Sequence, residues 1–257
     1  MNSIEHHITK DGSSTLFSKV FDQYYHNPNG AVSESRHVFF ESTGLTEAIK
    51  STTQPISIFE MGFGTGLNFL LLLDYYSKLE LSLPIQFYSV EAFPADPETI
   101  EHINYQEVLG DDSYKEFLRN VFTSLKSGWN SYSLKNYPNI TLNLFYGTFQ
   151  DLEAPETSID FFFHDPFSPE VNGELWTVET FEKLKNMASS DAVLSTYCAA
   201  SKARAALAKA GWYIAKTRGA LGKREMTIAS LNDQKLSSYK RLKEARLIER
   251  FDRSDFG

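Results

Sequence analysis

Three short stretches of the sequence bring together residue types that could do chemistry. The first is Glu60-Met61-Gly62-Phe63-Gly64-Thr65-Gly66-Leu67-Asn68, with glycines at alternate positions after an acid and apolar residues on both sides. Glycines so spaced permit a tight turn and let a ligand approach the backbone, and a helix starting there offers free N–H groups. The second is Ser89-Val90-Glu91-Ala92, whose acid falls 25 residues after Gly66. A carboxylate in that place can take both hydroxyls of a ribose. The third is His164-Asp165-Pro166-Phe167-Ser168-Pro169. There a proline turn fixes an acid beside an aromatic ring, a unit that can accept an N–H hydrogen bond while the ring stacks on a flat base. Each stretch also has a plain structural explanation: close packing for the glycines, a surface charge for Glu91, and a strand-ending turn for Asp165.

Other residues carry less. His164 reads as a packing residue and not as a base. His6 and His7 are adjacent and lack an acidic ligand pattern, so no metal site is expected. The single cysteine, Cys198, excludes an intramolecular disulfide and a Cys-rich metal centre; it reads as a core residue in a reducing compartment, with the cytoplasm as the expected location. Ser195 lies in no nucleophile elbow, which argues against a serine hydrolase. The most apolar run, Phe69 to Leu73, is far below the ~18 to 20 residues of a membrane helix. The N-terminus shows no signal-peptide core, so neither membrane insertion nor export is expected.

The elements that must position these residues alternate. Residues 1 to 54 read as an N-terminal extension, hairpin-like, with aromatic-rich stretches at 16–25 and 36–41 split by the turn Asn27-Pro28-Asn29-Gly30. Strands are expected at 55–61, 85–93, 140–147, 158–165, 192–198, 212–217 and 225–230. Helices are expected at 67–76, after an Asp96 cap with Pro97, at 111–135, at 177–187 and at 201–210. The loop 218–224 is read as too short for a helix. The fold class predicted is therefore α/β: a Rossmann-like, seven-stranded, mostly parallel sheet spanning 55–231, with an antiparallel last strand. In such a sheet ligands lie beyond the carboxyl ends of the strands, where all three stretches fall. The glycine spacing departs from the dinucleotide fingerprint, and the closing hairpin moves the choice from a dinucleotide toward S-adenosylmethionine.

The chain has 257 residues, 42% hydrophobic and 23% charged, enough apolar material for a real core and too little charge for disorder. Its net charge of −8 read as a whole argues against a polyanionic partner. The charge is unevenly spread, however. Residues 1 to 201 hold 11 basic and 27 acidic side chains, whereas residues 202 to 257 hold 14 and 6. The basic C-terminal segment 232–257, expected to be helical, and the loop carrying Arg218, Lys223 and Arg224 are where an acidic ligand is expected.

The words FEMGFGTGLNFL, SVEAFP, FHDPFSPEVNGELW and GALGKREMTIAS, in that order, resemble the methyltransferase domain of the MnmC-type tRNA 5-(aminomethyl)uridine methyltransferases. YYHNPNGAVSESRHVFF resembles the family's N-terminal lead-in, so the likeness spans nearly the whole chain. The glycine loop is common to many methyltransferases; the D-x-F-[AS]-P…W unit with a downstream G-K-R-E-M is much more specific. The resemblance implies S-adenosylmethionine-dependent N-methylation of the aminomethyl group on a tRNA wobble uridine, with the anticodon loop as partner and no metal. It implies that Gly62, Phe63, Gly64, Thr65, Gly66 and Asn68 line the cofactor, together with Glu60, Asp165 and Pro166. Glu91 would hold the ribose, and Asp165 and Phe167 would meet the amine and base. Many members fuse an FAD-dependent oxidase behind this domain. The expectation here is a stand-alone form, with no oxidoreductase domain, whose aminomethyl substrate comes from a separate enzyme. Three rivals remain open: methylation of a small amine or protein, an NAD-dependent oxidoreductase, and a noncatalytic tRNA-binding protein.

Overall fold

The computed structural model describes residues 4–256. Strands β1 (Ile4–Ile8), β2 (Ser14–Ser18) and β3 (Gln23–Tyr24) form a small antiparallel sheet, so a hairpin does lead in. The second aromatic stretch departs from expectation. Residues 31–51 are helical, with α1 (Ala31–Ser35), a π-helical turn (Arg36–Glu41) and α2 (Leu45–Ser51). Val38, Phe39 and Phe40 are all buried, and the two rings pack 5.1 and 5.3 Å from Phe163. An apolar run this short fits a strand or a helix equally in sequence, and the packing against Phe163 decides.

The chemistry-bearing part follows: β4 (Ile56–Met61), α3 (Leu67–Lys78), β5 (Ile85–Glu91), α4 (Pro97–Glu101), α5 (Tyr105–Leu109) and α6 (Ser113–Ser124). Next come β6 (Gly128–Leu134), β7 (Tyr137–Tyr146), β8 (Ile159–His164), α7 (Val178–Asn186) and β9 (Ala188–Thr196). The chain ends with α8 (Ser201–Lys209), β10 (Tyr213–Thr217), β11 (Met226–Ser230), β12 (Lys240–Arg241) and α9 (Glu244–Asp252). Asp96 caps α4 as expected, its Oδ1 accepting from Thr99 N–H at 2.8 Å, with Pro97 in the first turn. The helix predicted over 111–135 stops at Ser124. Residues 128–134 instead alternate between exposed and sheltered positions and pair with β7 as a hairpin.

The main sheet has nine strands in the order β12-β10-β11-β9-β8-β4-β5-β7-β6. Its central seven are those read from the sequence, and β6 and β12 are added at the edges. Pairing is parallel from β7 through β5, β4 and β8 to β9, and β11 runs antiparallel to both β9 and β10. The antiparallel last strand is thus as predicted. Apolar layers cover both faces: Phe163 joins the layer of α3 and α6, while Phe162 joins that of α7 and α8. Two-sided burial explains the unbroken phenylalanines 161–163. The strand order reverses at β4, which pairs with both β5 and β8, so the switch point lies between the ends carrying Glu60, Glu91 and Asp165. Among the described residues no helix is long and apolar enough to cross a membrane.

Candidate active site

The three strand ends are stitched together by backbone bonds before any side chain acts. Gly62 N–H and Phe63 N–H both donate to Val90 O, at 3.1 and 3.2 Å, and Asp165 N–H donates to Met61 O at 3.1 Å. Gly62 has φ +89°, and a Cβ built on it would stand 3.1 Å from the Asp165 carbonyl oxygen. The first glycine is therefore there for close approach of β8's end. Gly66 serves packing instead: a Cβ there would meet Leu118 Cδ2 at 2.8 Å and Phe63 Cζ at 3.0 Å. It starts α3 with no side-chain cap, which leaves the helix's first N–H groups without a capping side chain beside the cleft.

Five acids line the resulting cleft of about 690 Å³: Glu34, Glu60, Glu91, Asp165 and Glu174. Glu91 is oriented by the loop it faces, its Oε2 accepting from Gly64 N–H and its Oε1 from Phe93 N–H, both at 2.8 Å. Burial raises its pKa, and those backbone bonds oppose the rise. Glu60 is 1% exposed and accepts from Asn68 Nδ2 at 2.9 Å and from Ser89 Oγ at 2.7 Å. Burial still pushes its carboxyl up to about 8, with Ser89 and Asn68 pulling the other way. Asn68 Nδ2 also reaches Asp165 Oδ2 at 3.5 Å, while its Oδ1 is buried without a partner. Asp165 is raised well above the ordinary carboxylate range, first by burial and then by the charges of Glu34 and Glu60. His164, beneath it, packs edge-on against Trp176 at 4.6 Å; burial lowers its pKa to about 3, so it is neutral and fills space, as its sequence context predicted.

The loop after Asp165 is held from three directions. Tyr197 hydroxyl donates to Pro166 O at 2.7 Å, and Trp176 Nε1 donates to Phe167 O at 2.9 Å. Gln23 reaches across from β3, donating from Nε2 to Ser168 Oγ at 2.6 Å and accepting from Ser168 N–H at 3.1 Å. On either side of that pair, the Phe21 and Tyr25 rings lie 4.9 and 5.2 Å from Phe167. The lead-in is thus one wall of the site.

Of the residues singled out in sequence, Glu60, Gly62, Phe63, Gly64, Asn68, Glu91, Asp165, Pro166, Phe167 and Lys223 meet on this cleft. Thr65 does not. Its side chain is wholly buried and bonds Tyr105 hydroxyl at 2.8 Å, so it shapes the turn from behind, as Gly66 does. Arg218 is exposed away from the cleft, its carbonyl accepting from His37 Nε2 at 2.8 Å. Arg224 lines a shallow neighbouring pocket with Ser168 and Tyr197. Sequence reasoning missed Phe21, Gln23, Tyr25, Glu34 and Tyr197; Phe21, Gln23 and Tyr25 fall in the aromatic-rich stretch 16–25 and Glu34 in YYHNPNGAVSESRHVFF, whereas no signal marked Tyr197. Much of the basic C-terminal charge is spent within the fold, Arg204 and Lys216 on Glu225, Lys209 on Asp252 and Arg253 on Glu249. Helix α9 sits at the far end of the sheet, where Glu244 accepts from Ile214 N–H near the start of β10 at 2.9 Å.

Residues 111–232 match a family described as S-adenosyl-L-methionine-dependent methyltransferase. The chain is 31% identical to the tRNA 5-methylaminomethyl-2-thiouridine biosynthesis bifunctional protein MnmC of Leptospira interrogans, over 90% of this chain and 36% of that protein. It is 32% identical to the protein of the same name from Cupriavidus metallidurans, over 86% of this chain and 33% of that one. The chain thus spans about a third of the length of these relatives. In structure it is similar to MnmC2 from Aquifex aeolicus, with a TM-score of 0.72 and 24% identity, over 98% of this chain and 76% of that one.

The cleft fits a cationic nucleoside cofactor. A wall of acids faces it, and Asn68 Oδ1 is a buried acceptor without a donor. Among the described residues no three of His, Cys, Asp and Glu converge in a way that would hold a metal ion.

Proposed function

We propose that the protein N-methylates the aminomethyl group of 5-aminomethyluridine, or of its 2-thio form, at the tRNA wobble position to give the 5-methylaminomethyl nucleoside. The observation that carries this reading is the Asp165-Pro166-Phe167 loop, which sets a carboxyl and a ring side by side in the same cleft as Glu91 and Glu60. The name of the MnmC relatives, which places them in tRNA 5-methylaminomethyl-2-thiouridine biosynthesis, supports it. S-adenosyl-L-methionine, when bound, supplies a methyl group activated by a cationic sulfonium. Glu91 is assigned to its ribose, Asn68 Oδ1 and Glu60 to its ammonium, and Gly62, Phe63 and Gly64 to the close backbone approach. Thr65 and Gly66 are assigned to shaping that turn.

An alkylamine with a pKa near ~10.4 is neutral in only about one molecule per thousand at pH 7. Only the neutral form has a lone pair to offer. Asp165 meets this need because burial and the neighbouring acids make its carboxylate a stronger base than a solvated one. It accepts the proton and orients the amine, while Phe167 with Phe21 and Tyr25 forms the aromatic wall for the base. A wobble base lies in a single-stranded loop, so bringing it into the cleft costs less than flipping one from a duplex. Lys223, Arg224 and Arg218 are assigned to anticodon-loop phosphates, with binding that weakens as salt rises. The reaction is placed in the cytoplasm, with a separate activity supplying the aminomethyl group.

The test is incubation with S-adenosylmethionine and tRNA carrying aminomethyluridine, followed by digestion and mass spectrometry of the nucleosides. The expected result is a one-methylene mass gain on that nucleoside, and its absence would end the proposal.

A further inference from the structure

Glu34 and Tyr197 lie outside the three stretches read as chemical, yet both line the cleft with Asp165. Glu34 comes from α1 and Tyr197 from the residue after β9, so they reach Asp165 from unrelated elements. Glu34 is anchored: Asn27 N–H donates to its Oε2 at 3.0 Å and Asn27 Nδ2 to its Oε1 at 3.3 Å, and only 12% of its side chain is exposed. Among neighbouring charges, Glu34 contributes most to the raised pKa of Asp165. Two carboxylates facing one partly buried space repel each other, and a cation between them relieves both.

One cation already occupies that region. Lys223 Nζ lies 3.1 Å from Glu34 Oε1 and 5.4 Å from the centroid of the Tyr197 ring. The ring is fixed by its hydroxyl's 2.7 Å bond to Pro166 O. A carboxylate and an aromatic face together make a site for an alkylammonium. Lys223 enters it from an exposed loop with 45% of its own side chain in solvent, so its hold is the weaker side of the arrangement.

We propose that Glu34 and the Tyr197 ring, together with Asp165, form the subsite that recognises the substrate's alkylammonium, and that Lys223 stands in for it until the substrate enters. The inference rests on the aminomethyl reading and names the groups that select the amine. Displaced, the Lys223 ammonium becomes available to a phosphate. A neutral isostere is rejected, because it leaves the facing carboxylates without a cation.

The experiment compares binding of two anticodon stem-loop RNAs, one with 5-aminomethyluridine and one with 5-hydroxymethyluridine at the wobble position, by fluorescence anisotropy. The wild type is expected to prefer the amine by about tenfold, the worth of one charge-assisted contact. Glu34→Gln, which keeps an acceptor for Asn27, should bring that preference close to unity while leaving the hydroxymethyl RNA's affinity unchanged. Tyr197→Phe should retain the preference, and Tyr197→Leu should weaken it. Equal loss for both RNAs in Glu34→Gln, reproduced by Lys223→Ala, would mean that Glu34 only holds the loop, and the subsite falls. Methylation of the aminomethyl RNA by wild type with a preference that survives Glu34→Gln also removes the subsite, yet leaves the function standing. A preference that collapses in Glu34→Gln without any methylation removes the function and keeps the subsite.

Discussion

Replacing Glu60 with glutamine should make the cofactor-free protein more stable at alkaline pH. Glu60 is 1% exposed, and its carboxyl is pushed from 4.5 up to about 8, first by burial. In the folded chain it stays protonated up to about that pH, whereas in the unfolded chain it ionises above about 4.5. Folding therefore takes up a proton between those values, and the stability tied to Glu60 is full below 4.5 and lost as pH rises toward 8. At 1.36 kcal/mol per unit the ceiling is about 5 kcal/mol, and relaxation around a buried acid brings the expectation down to about 2 kcal/mol or more. Glutamine keeps the shape, an acceptor for Asn68 and a partner for the Ser89 hydroxyl, which can rotate to accept. Only the titration is removed. For a chain near 250 residues, ~2 kcal/mol corresponds to roughly 4 to 8 °C in melting temperature. Thermal unfolding of wild type and Glu60→Gln at pH 5 and pH 8.5, without cofactor, measures this. The two should melt together at pH 5, and the variant should melt higher at pH 8.5. A variant that melts lower at pH 8.5, or a gap that does not change with pH, would refute the assignment of Glu60 as a buried neutral acid.

Three further outcomes follow from the same geometry. Asp165→Asn should lower kcat by about 10²-fold or more, the usual worth of a positioned base, while S-adenosylmethionine still raises the melting temperature; unchanged turnover would take Asp165 out of the chemistry. Gly62→Ala places a Cβ 3.1 Å from the Asp165 carbonyl oxygen at φ +89°, so a cost of about 1 to 3 kcal/mol and a reduced kcat are expected by thermal melting and steady-state assay. Gln23→Ala releases the loop after Asp165 from β3 and should lower kcat several-fold with cofactor affinity intact. Ser168→Ala removes only the bond to its hydroxyl and keeps the one from its N–H, so it should cost less, and the double variant should be no worse than Gln23→Ala, which already breaks both.

The central strands were legible because each is an apolar run between turn formers, and crossovers between them require parallel pairing. Glu60, Glu91 and Asp165 were legible because that topology leaves only strand ends facing a ligand. The edge strand β6 was not: its alternation lies within a stretch whose first half is a good amphipathic helix, and the two periods blur at the boundary. Residues 36–41 were misread as extended, since Val38, Phe39 and Phe40 fit either geometry until Phe163 is known to lie against them.

The sequence by itself determined the layers of the fold, the glycine turn and the acids at the strand ends, since these follow from local periodicity, backbone freedom and chain connectivity. Tertiary structure alone decided what surrounds those acids. Gln23 meets Ser168 across 145 residues, and Lys223 meets Glu34 across 189, separations at which no sequence spacing carries information. It also sorted the glycines, giving Gly62 to close approach and Gly66 to packing, and it decided which charges are free. After residue 201, Arg204 and Lys216 are held on Glu225, Lys209 on Asp252 and Arg253 on Glu249, while the segment's basic surplus itself remains, because these acids belong to the same segment; which bases are paired depends on where the chain folds back and not on how charge is distributed along it.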